Sequence, residues 1–391
     1  VWILLSFSLC CFIAVLYCRS AGYRDPTSIF FDSQLAYDQQ YSAHRAKEAN
    51  EYIAASGQSE QAGPVIWPPL ICVGVPTVAR RRDQYVQTTV GSLLVGLEDD
   101  ERKLMFLNLF IAHLNSVEHP IFSEVWPHTL PDRLLQYPTS AAEYRQILAW
   151  EEEGWYRNKS IYDFTYLLND CFETGAEYVA IIEDDTLATD GWLKRLLDAL
   201  NTVEDKMETL YTGQKWMYLR LFYTEELLGW NSEEWPTYLV WSFVAWATIS
   251  AVMLMIRRTF PRQGFMTKGV IATVSFVCIP AGTALFFLAG KQTTFPLTAG
   301  IHEMNKYGCC SQGLVFPRSI IPELLRLADV NTDWLVDMMV EQISNDEELV
   351  RWAIVPPLLQ HIGATSSKGY GFDHSARQMW NFRYELYPIK N

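Results

Sequence analysis

Residues 176–200 read AEYVAIIEDDTLATDGWLKRLLDAL. Tyr178 to Ile182 is a short, unbroken apolar run, the pattern of a strand buried on both faces. It stops at Glu183-Asp184-Asp185, and a helix pattern begins at Trp192. Three adjacent carboxylates repel one another, so placing them at the tip of a buried strand calls for positive compensation. A divalent cation supplies it; hard oxygen ligands suit magnesium or manganese, and such ions are commonly shared with a ligand's phosphates. The plainer reading is an acidic turn, with Asp190 capping a helix over Trp192–Leu200.

Working outward, the same pattern recurs. Leu70–Val75 is a second apolar run, ended by Pro76, and a helix opens at Asp83 or Gln84 and runs to about Leu97. Lys103–Leu114 reads as another strand, and helices follow near Ala141–Glu153 and over 160–174. Strand and helix alternating over short connections predict an α/β fold around a mostly parallel sheet. In open α/β sheets ligands gather at the carboxyl ends of strands. Val75-Pro76-Thr77 and Glu183-Asp184-Asp185 both lie at such ends. Arg80, Arg81 and Arg82 follow the first of them; a guanidinium there suits a diphosphate, and Arg81 is the candidate.

The chain of 391 residues carries a formal charge of −14, which argues against a nucleic-acid partner. Its hydrophobicity is uneven. Residues 1–18, 237–256 and 269–290 contain no charged side chain, and the last two are each about 30 Å long as helices, the thickness of a bilayer core. The first reads as an uncleaved signal anchor, the others as a membrane-crossing helical pair that tolerates Pro280 and Gly282. The loop between them, 257–268, holds Arg257, Arg258, Arg262 and Lys268 and no acid. Short basic loops stay cytosolic. The flanks would then both be lumenal: a stem over 19–62, a first catalytic segment over 63–236 and a second over 291–391. Asn158-Lys159-Ser160 is a glycosylation sequon that fits a lumenal placement. Of eight cysteines, Cys72, Cys171, Cys309 and Cys310 lie outside the spans. They allow three pairings, among which strain disfavours the vicinal one.

A hydrophobic strand ending in acids resembles the DxD-type motif of GT-A glycosyltransferases. The chain as a whole is similar to the Golgi GPI N-acetylgalactosamine transferase family, in which a transmembrane hairpin interrupts a GT-A domain behind an N-terminal anchor. The local matches are GVPTVARRRDQYV at 74–86, IIEDD at 181–185, QGLVFPRS at 312–319 and PPLLQHIGATSS at 356–367. The segment from Thr332–Asp337 to Gln360–Ser367 also resembles the N-acetylglucosaminyltransferase IV branching enzymes. These resemblances imply a UDP-sugar donor and assign roles. Asp185 and His361 would be metal ligands, with Glu183 and Asp184 contacting ribose, water or the ion. Val75, Pro76 and Thr77 would lie by the nucleobase and ribose. Gly363 to Lys368 would offer backbone N–H groups and a cation to phosphates. Asp333 would be the general base of an inverting transfer, with Asp337, one turn later, as its alternative. Each has a plainer reading: His361 as a packing residue, Asp333 as a helix cap.

The implied acceptor is a GPI-anchored protein or GPI glycolipid. A membrane insertion beside the active site is of use when the acceptor is lipid-linked, and the implied location is the Golgi membrane. The competing readings are N-glycan branching, which leaves the insertion unexplained, and a non-catalytic glycan-binding membrane protein.

Overall fold

The computed structural model describes residues 2–56, 65–80, 83–138, 141–260, 266–304, 308–328, 334–363 and 379–389. It divides into two compact units. One comprises Gln39–Thr224 and Thr298–Asn391, the other Val1–Asp38 and Glu225–Leu297.

The first unit is a mixed α/β fold built on an eight-stranded sheet. Its strands are β1 (Ile71–Thr77), β2 (Met105–Ile111), β3 (Arg133–Leu135), β4 (Tyr178–Ile182), β6 (Trp216–Arg220), β7 (Gly300–Glu303), β8 (Gly313–Pro317) and β9 (Val350–Val355). Two short strands, β5 (Thr186–Ala188) and β10 (Leu359–His361), pair separately. The order across the large sheet is β3-β2-β1-β4-β8-β6-β9-β7. β2 and β4 are buried along their whole length, as their unbroken apolar runs require. β2 starts later than expected because Asp99–Leu104 forms a helix. Three acids occupy its first turn, and Glu98 N donates to Glu101 Oε2 (3.0 Å).

Parallel pairing holds from β3 through β4. Beyond it the sheet departs from the expected mostly parallel arrangement. β8 runs antiparallel to both β4 and β6, and β7 antiparallel to β9, while β6 and β9 are parallel. An apolar run records burial on two faces but not strand direction, so the pattern of Gly313–Pro317 could not have distinguished the two.

Helix Tyr156–Glu173, four residues longer at its start than expected, packs under β1: a Cβ on Gly74 would lie 2.8 Å from Leu167 Cγ. A Cys72–Cys171 disulfide ties it there. Helix Trp192–Leu210 runs well past Leu200 and is capped by Gly191 at a φ of 63°, not by the Asp190 side chain. Residues expected to form a stem divide between the units. Helix Tyr41–Ser56 belongs to the sheet unit, where Arg45 Nη2 donates to Ser92 O and Val95 O, both at 3.0 Å, beside helix Val86–Leu94. Tyr41 N and Ser42 N donate to Glu385 Oε2 at 3.0 and 3.1 Å.

The second unit contains three helical segments long and apolar enough to cross a membrane. They comprise Trp2–Ala21, Trp235–Thr259 and a segment over Lys268–Leu288. The last widens into a π-turn at Val274–Cys278, just before Pro280, whose missing N–H and ring cannot continue a regular ladder. Ser275 is used there: its carbonyl accepts from Trp246 Nε1 (2.7 Å) and its hydroxyl bonds Ser250 Oγ (2.8 Å).

Candidate active site

The carboxyl ends of β1 and β4 are neighbours, because β1 and β4 pair in parallel with Gly74 opposite Ile181. A cleft of about 490 Å³ opens there. Pro76, Thr77 and Arg80 line it from β1, and Glu183, Asp184 and Asp185 from β4. Cys309 to Gln312 line it ahead of β8, with Asp337 and His361. Sequence-distant candidates thus meet in one cavity.

The acids are held individually. Asp184 accepts from Thr77 Oγ1 (2.6 Å) and from Arg80 Nη2 (2.7 Å). The same Nη2 reaches Asp185 Oδ2 at 3.0 Å. Ser311 Oγ donates to Glu183 Oε1 (2.5 Å), and Glu183 N donates to Gln312 O (3.0 Å). Burial, reinforced by the neighbouring Asp185, raises the Glu183 carboxyl to about 7. Burial alone would raise Asp185 also, but His361 and Arg80 pull it below the ordinary carboxylate value.

His361 arrives through the small sheet. β10 pairs antiparallel with β5 so that His361 faces Thr186, and Ile362 N donates to Asp185 O (2.8 Å). The register leaves His361 Nε2 3.5 Å from Asp185 Oδ2. Burial would lower the imidazole pKa, yet the Asp185 carboxylate beside it raises it above the ordinary histidine value. Gly363 follows, and a Cβ there would collide with the Asp185 carboxylate. This glycine is a packing requirement of the site.

Among the described residues no group of three or more His, Cys, Asp or Glu side chains is placed to cage an ion. Two side chains nonetheless fit a cation whose remaining ligands come from a bound molecule. Asp185 Oδ1 is buried with no hydrogen-bond partner among the described residues, and His361 faces the other oxygen. An orphaned buried carboxylate oxygen is costly unless something positive meets it. Such a partial set, completed by phosphates and water, is how magnesium-type ions are held.

Pro76, Thr77, Glu183, Asp184, Asp185, Asp337 and His361 therefore share the cleft, whereas Val75 is fully buried in the core and does not line it. Asp333, Arg81 and residues 364–368 lie outside the described residues. Among the described residues the arginine that reaches the acids is Arg80, a neighbour of the Arg81 singled out from the triple-arginine run. Arg80 is 8% exposed, and its Nε and Nη1 have no partner among the described residues. Ser311 carried no sequence signal at all.

Two further features enter. The sequon lies in the first turns of helix Tyr156–Glu173, with Ser160 on the cleft. Lys159 is buried, its Nζ donating to Ala112 O (2.7 Å), Tyr137 OH (2.8 Å) and Asp163 Oδ2 (2.9 Å). Cys309 and Cys310 form a vicinal disulfide, the pairing expected to be least favoured. Cys310 adopts a φ of 84°, and Arg220 Nη1 donates to both cysteine carbonyls. A buried arginine thus braces the turn that the vicinal pair imposes.

The chain gives no match among curated proteins. The family model described as GPI-N-acetylgalactosamine transferase PGAP4 matches residues 71–360, from the start of β1 to β10. That match spans most of the chain and both sequence segments of the sheet, so the chain belongs to the GPI-N-acetylgalactosamine transferase PGAP4 family.

Proposed function

We propose that the chain is a metal-dependent Golgi glycosyltransferase with a GT-A-type catalytic unit. It transfers N-acetylgalactosamine from UDP-N-acetylgalactosamine to the glycan of a GPI-anchored protein or GPI glycolipid. Family membership supports the sugar and the acceptor. The observation that carries the chemistry is the convergence of Thr77, Arg80, the three acids, Asp337 and His361 on one cleft at the ends of β1 and β4.

The charged side of that cleft takes the donor. Thr77 and Arg80 hold Asp184, and Nε and Nη1 of Arg80, without a partner among the described residues, are left for a diphosphate oxygen. A side pocket of about 280 Å³ sharing Val78 and Ala112 with the cleft suits the nucleobase. Manganese or magnesium held by Asp185 and His361 would supply positive charge to the leaving diphosphate. Asp337 takes the acceptor hydroxyl proton as that oxygen bonds to the anomeric carbon. The bond from this carbon to the diphosphate breaks from the opposite face, UDP departs and configuration inverts. Asp333 is the second candidate for the base.

The catalytic unit lies in the lumen, and the spans 237–256 and 269–290 form a hairpin around the basic cytosolic loop 257–268. A membrane-inserted enzyme meets a lipid-linked acceptor in its own plane.

The test is a donor screen on the detergent-purified full chain with manganese. UDP-N-acetylgalactosamine should be hydrolysed in preference to UDP-galactose and UDP-N-acetylglucosamine, and mass spectrometry should find the sugar on the glycan of a GPI-anchored protein. Full turnover in excess chelator, or transfer to N-glycans instead, would overturn the reading.

A further inference from the structure

The cleft is asymmetric in its chemistry. Thr77, Arg80 and the acids after β4 make one side charged. In the sheet β8 lies on the other side of β4 from β1, and Cys309 and Cys310 line the cleft just ahead of it. Met379 also lines the cleft, with its sulfur 3.8 Å from Gln312 Nε2. A buried arginine joins this disulfide to the helix that starts at Val336. Arg220 Nη1 donates to both cysteine carbonyls, while Nη2 donates to Glu341 Oε1 at 2.7 Å. Glu341 in turn accepts from Arg351 Nη1 at 2.8 Å. A Cβ on Gly308 would crowd Glu341, so the chain entering the disulfide lies against that same helix. Asp337 is one helical turn before Glu341. Arg220 thereby ties the disulfide to the helix that carries Asp337.

Resting on the transferase reading above, we propose that the Cys309–Cys310 disulfide is a binding platform for the acceptor sugar, packing against the apolar C–H face of a pyranose ring beside Asp337. A disulfide offers a polarisable, weakly hydrogen-bonding surface that leaves the sugar hydroxyls free for the few polar groups around it. The donor side of the cleft is separated from it by the acid-bearing end of β4. Arg220, buried and away from the cavity lining, is the positioning residue that holds the platform.

The test separates acceptor from donor. Full-length Cys309→Ala/Cys310→Ala protein in detergent is compared with the unaltered chain, using UDP-N-acetylgalactosamine and a GPI-anchored protein in micelles. The acceptor KM should rise by about tenfold, a much larger change than in kcat and KM for donor hydrolysis. Mild phosphine reduction of the unaltered chain, with mass spectrometry confirming that Cys309–Cys310 opens and the fully buried Cys72–Cys171 does not, should reproduce the split even if the double variant fails to fold. Reoxidation should restore the acceptor KM. An unchanged acceptor KM, or equal losses in hydrolysis and transfer, would overturn the platform and leave the disulfide a structural brace. Absence of any donor turnover by the unaltered chain would instead overturn the transferase reading, and the platform with it.

Discussion

Asp185 has one carboxylate oxygen against Arg80 and His361 and the other without a partner among the described residues. Its surroundings hold it ionised, and its free oxygen sits where positive charge would be most welcome. Asp185→Asn keeps the shape and removes the charge. Donor turnover should fall roughly 10²–10³-fold, the usual loss when one electrostatic element of a transition-state site is removed. Circular dichroism should remain native; near-normal steady-state turnover would exclude Asp185 from the site. Gly363 offers a steric test of the same arrangement. A Cβ at this position would run into the Asp185 carboxylate, so Gly363→Ala must displace either the carboxylate or the strand that carries His361. A loss of about 1–3 kcal/mol in stability is expected from the overpacking, with donor turnover reduced about tenfold. A variant with unaltered melting and kinetics would show that this contact does not constrain the site.

At the scale of elements, the end of β1 is braced by two histidines that the fold keeps neutral. His113 Nε2 accepts from Ala79 N (2.8 Å), so that nitrogen carries no proton. His119 Nδ1 accepts from Ile121 N (3.3 Å), and its Nε2 faces Thr77 Oγ1 (3.1 Å), whose own hydrogen goes to Asp184. Burial is the main cause that lowers both to about 4, helped at His113 by Lys159 and at His119 by Arg80. Both folded values lie below the unfolded one, so the stabilisation is complete above about pH 6.5. Between pH 6.5 and about 4 the unfolded chain binds protons that the folded chain excludes, and stability falls with falling pH. The loss amounts to about 3 kcal/mol at most for His119 and less for the more exposed His113. Melting midpoints of the detergent-solubilised protein across that window should decline, and His119→Gln should flatten the decline. An equally steep profile in the variant would contradict this account.

At the scale of the whole molecule, the sheet accommodates a long interruption in sequence. β6 is parallel to β9 and β7 antiparallel to it, so the end of β6 and the start of β7 lie at the same edge of the sheet. Arg220 and His302 both stand opposite Ala353, separated by two strand spacings of about 10 Å. Residues 225–297 therefore leave and return at nearby points. A linker of about six residues spans that gap with room to spare. Replacing 225–297 with it and removing 1–38 should yield a soluble protein with native circular dichroism and donor hydrolysis within a few-fold of the full chain. Transfer to a GPI-anchored protein in liposomes should fall much further than hydrolysis does. Equal loss of both would make the membrane unit a structural requirement, and equal retention would remove the physical reason for a lipid-linked acceptor.

The amino-acid sequence by itself determined the features that depend on local composition. The apolar runs that became β1, β2 and β4, the helical span beneath them, the three membrane-length segments and the acids after Ile182 were legible because burial imposes a local periodicity and a local polarity. The partners of those elements were not. Nothing in Gly313–Pro317 says that it inserts antiparallel between β4 and β6, and nothing in residues 41–56 separates a free stem from a helix docked on Val86–Leu94 through Arg45. Cys309 pairs with its neighbour in a turn whose two carbonyls both accept from Arg220, distant in sequence. Arg80 reaches Asp184 and Asp185, more than a hundred residues away in sequence. His361 meets Asp185 only through the register of β10 on β5. Each of these is a choice among partners far apart in the chain. Such choices are decided by the packing of the assembled sheet, a long-range balance of burial and hydrogen bonding that no local stretch of residues contains.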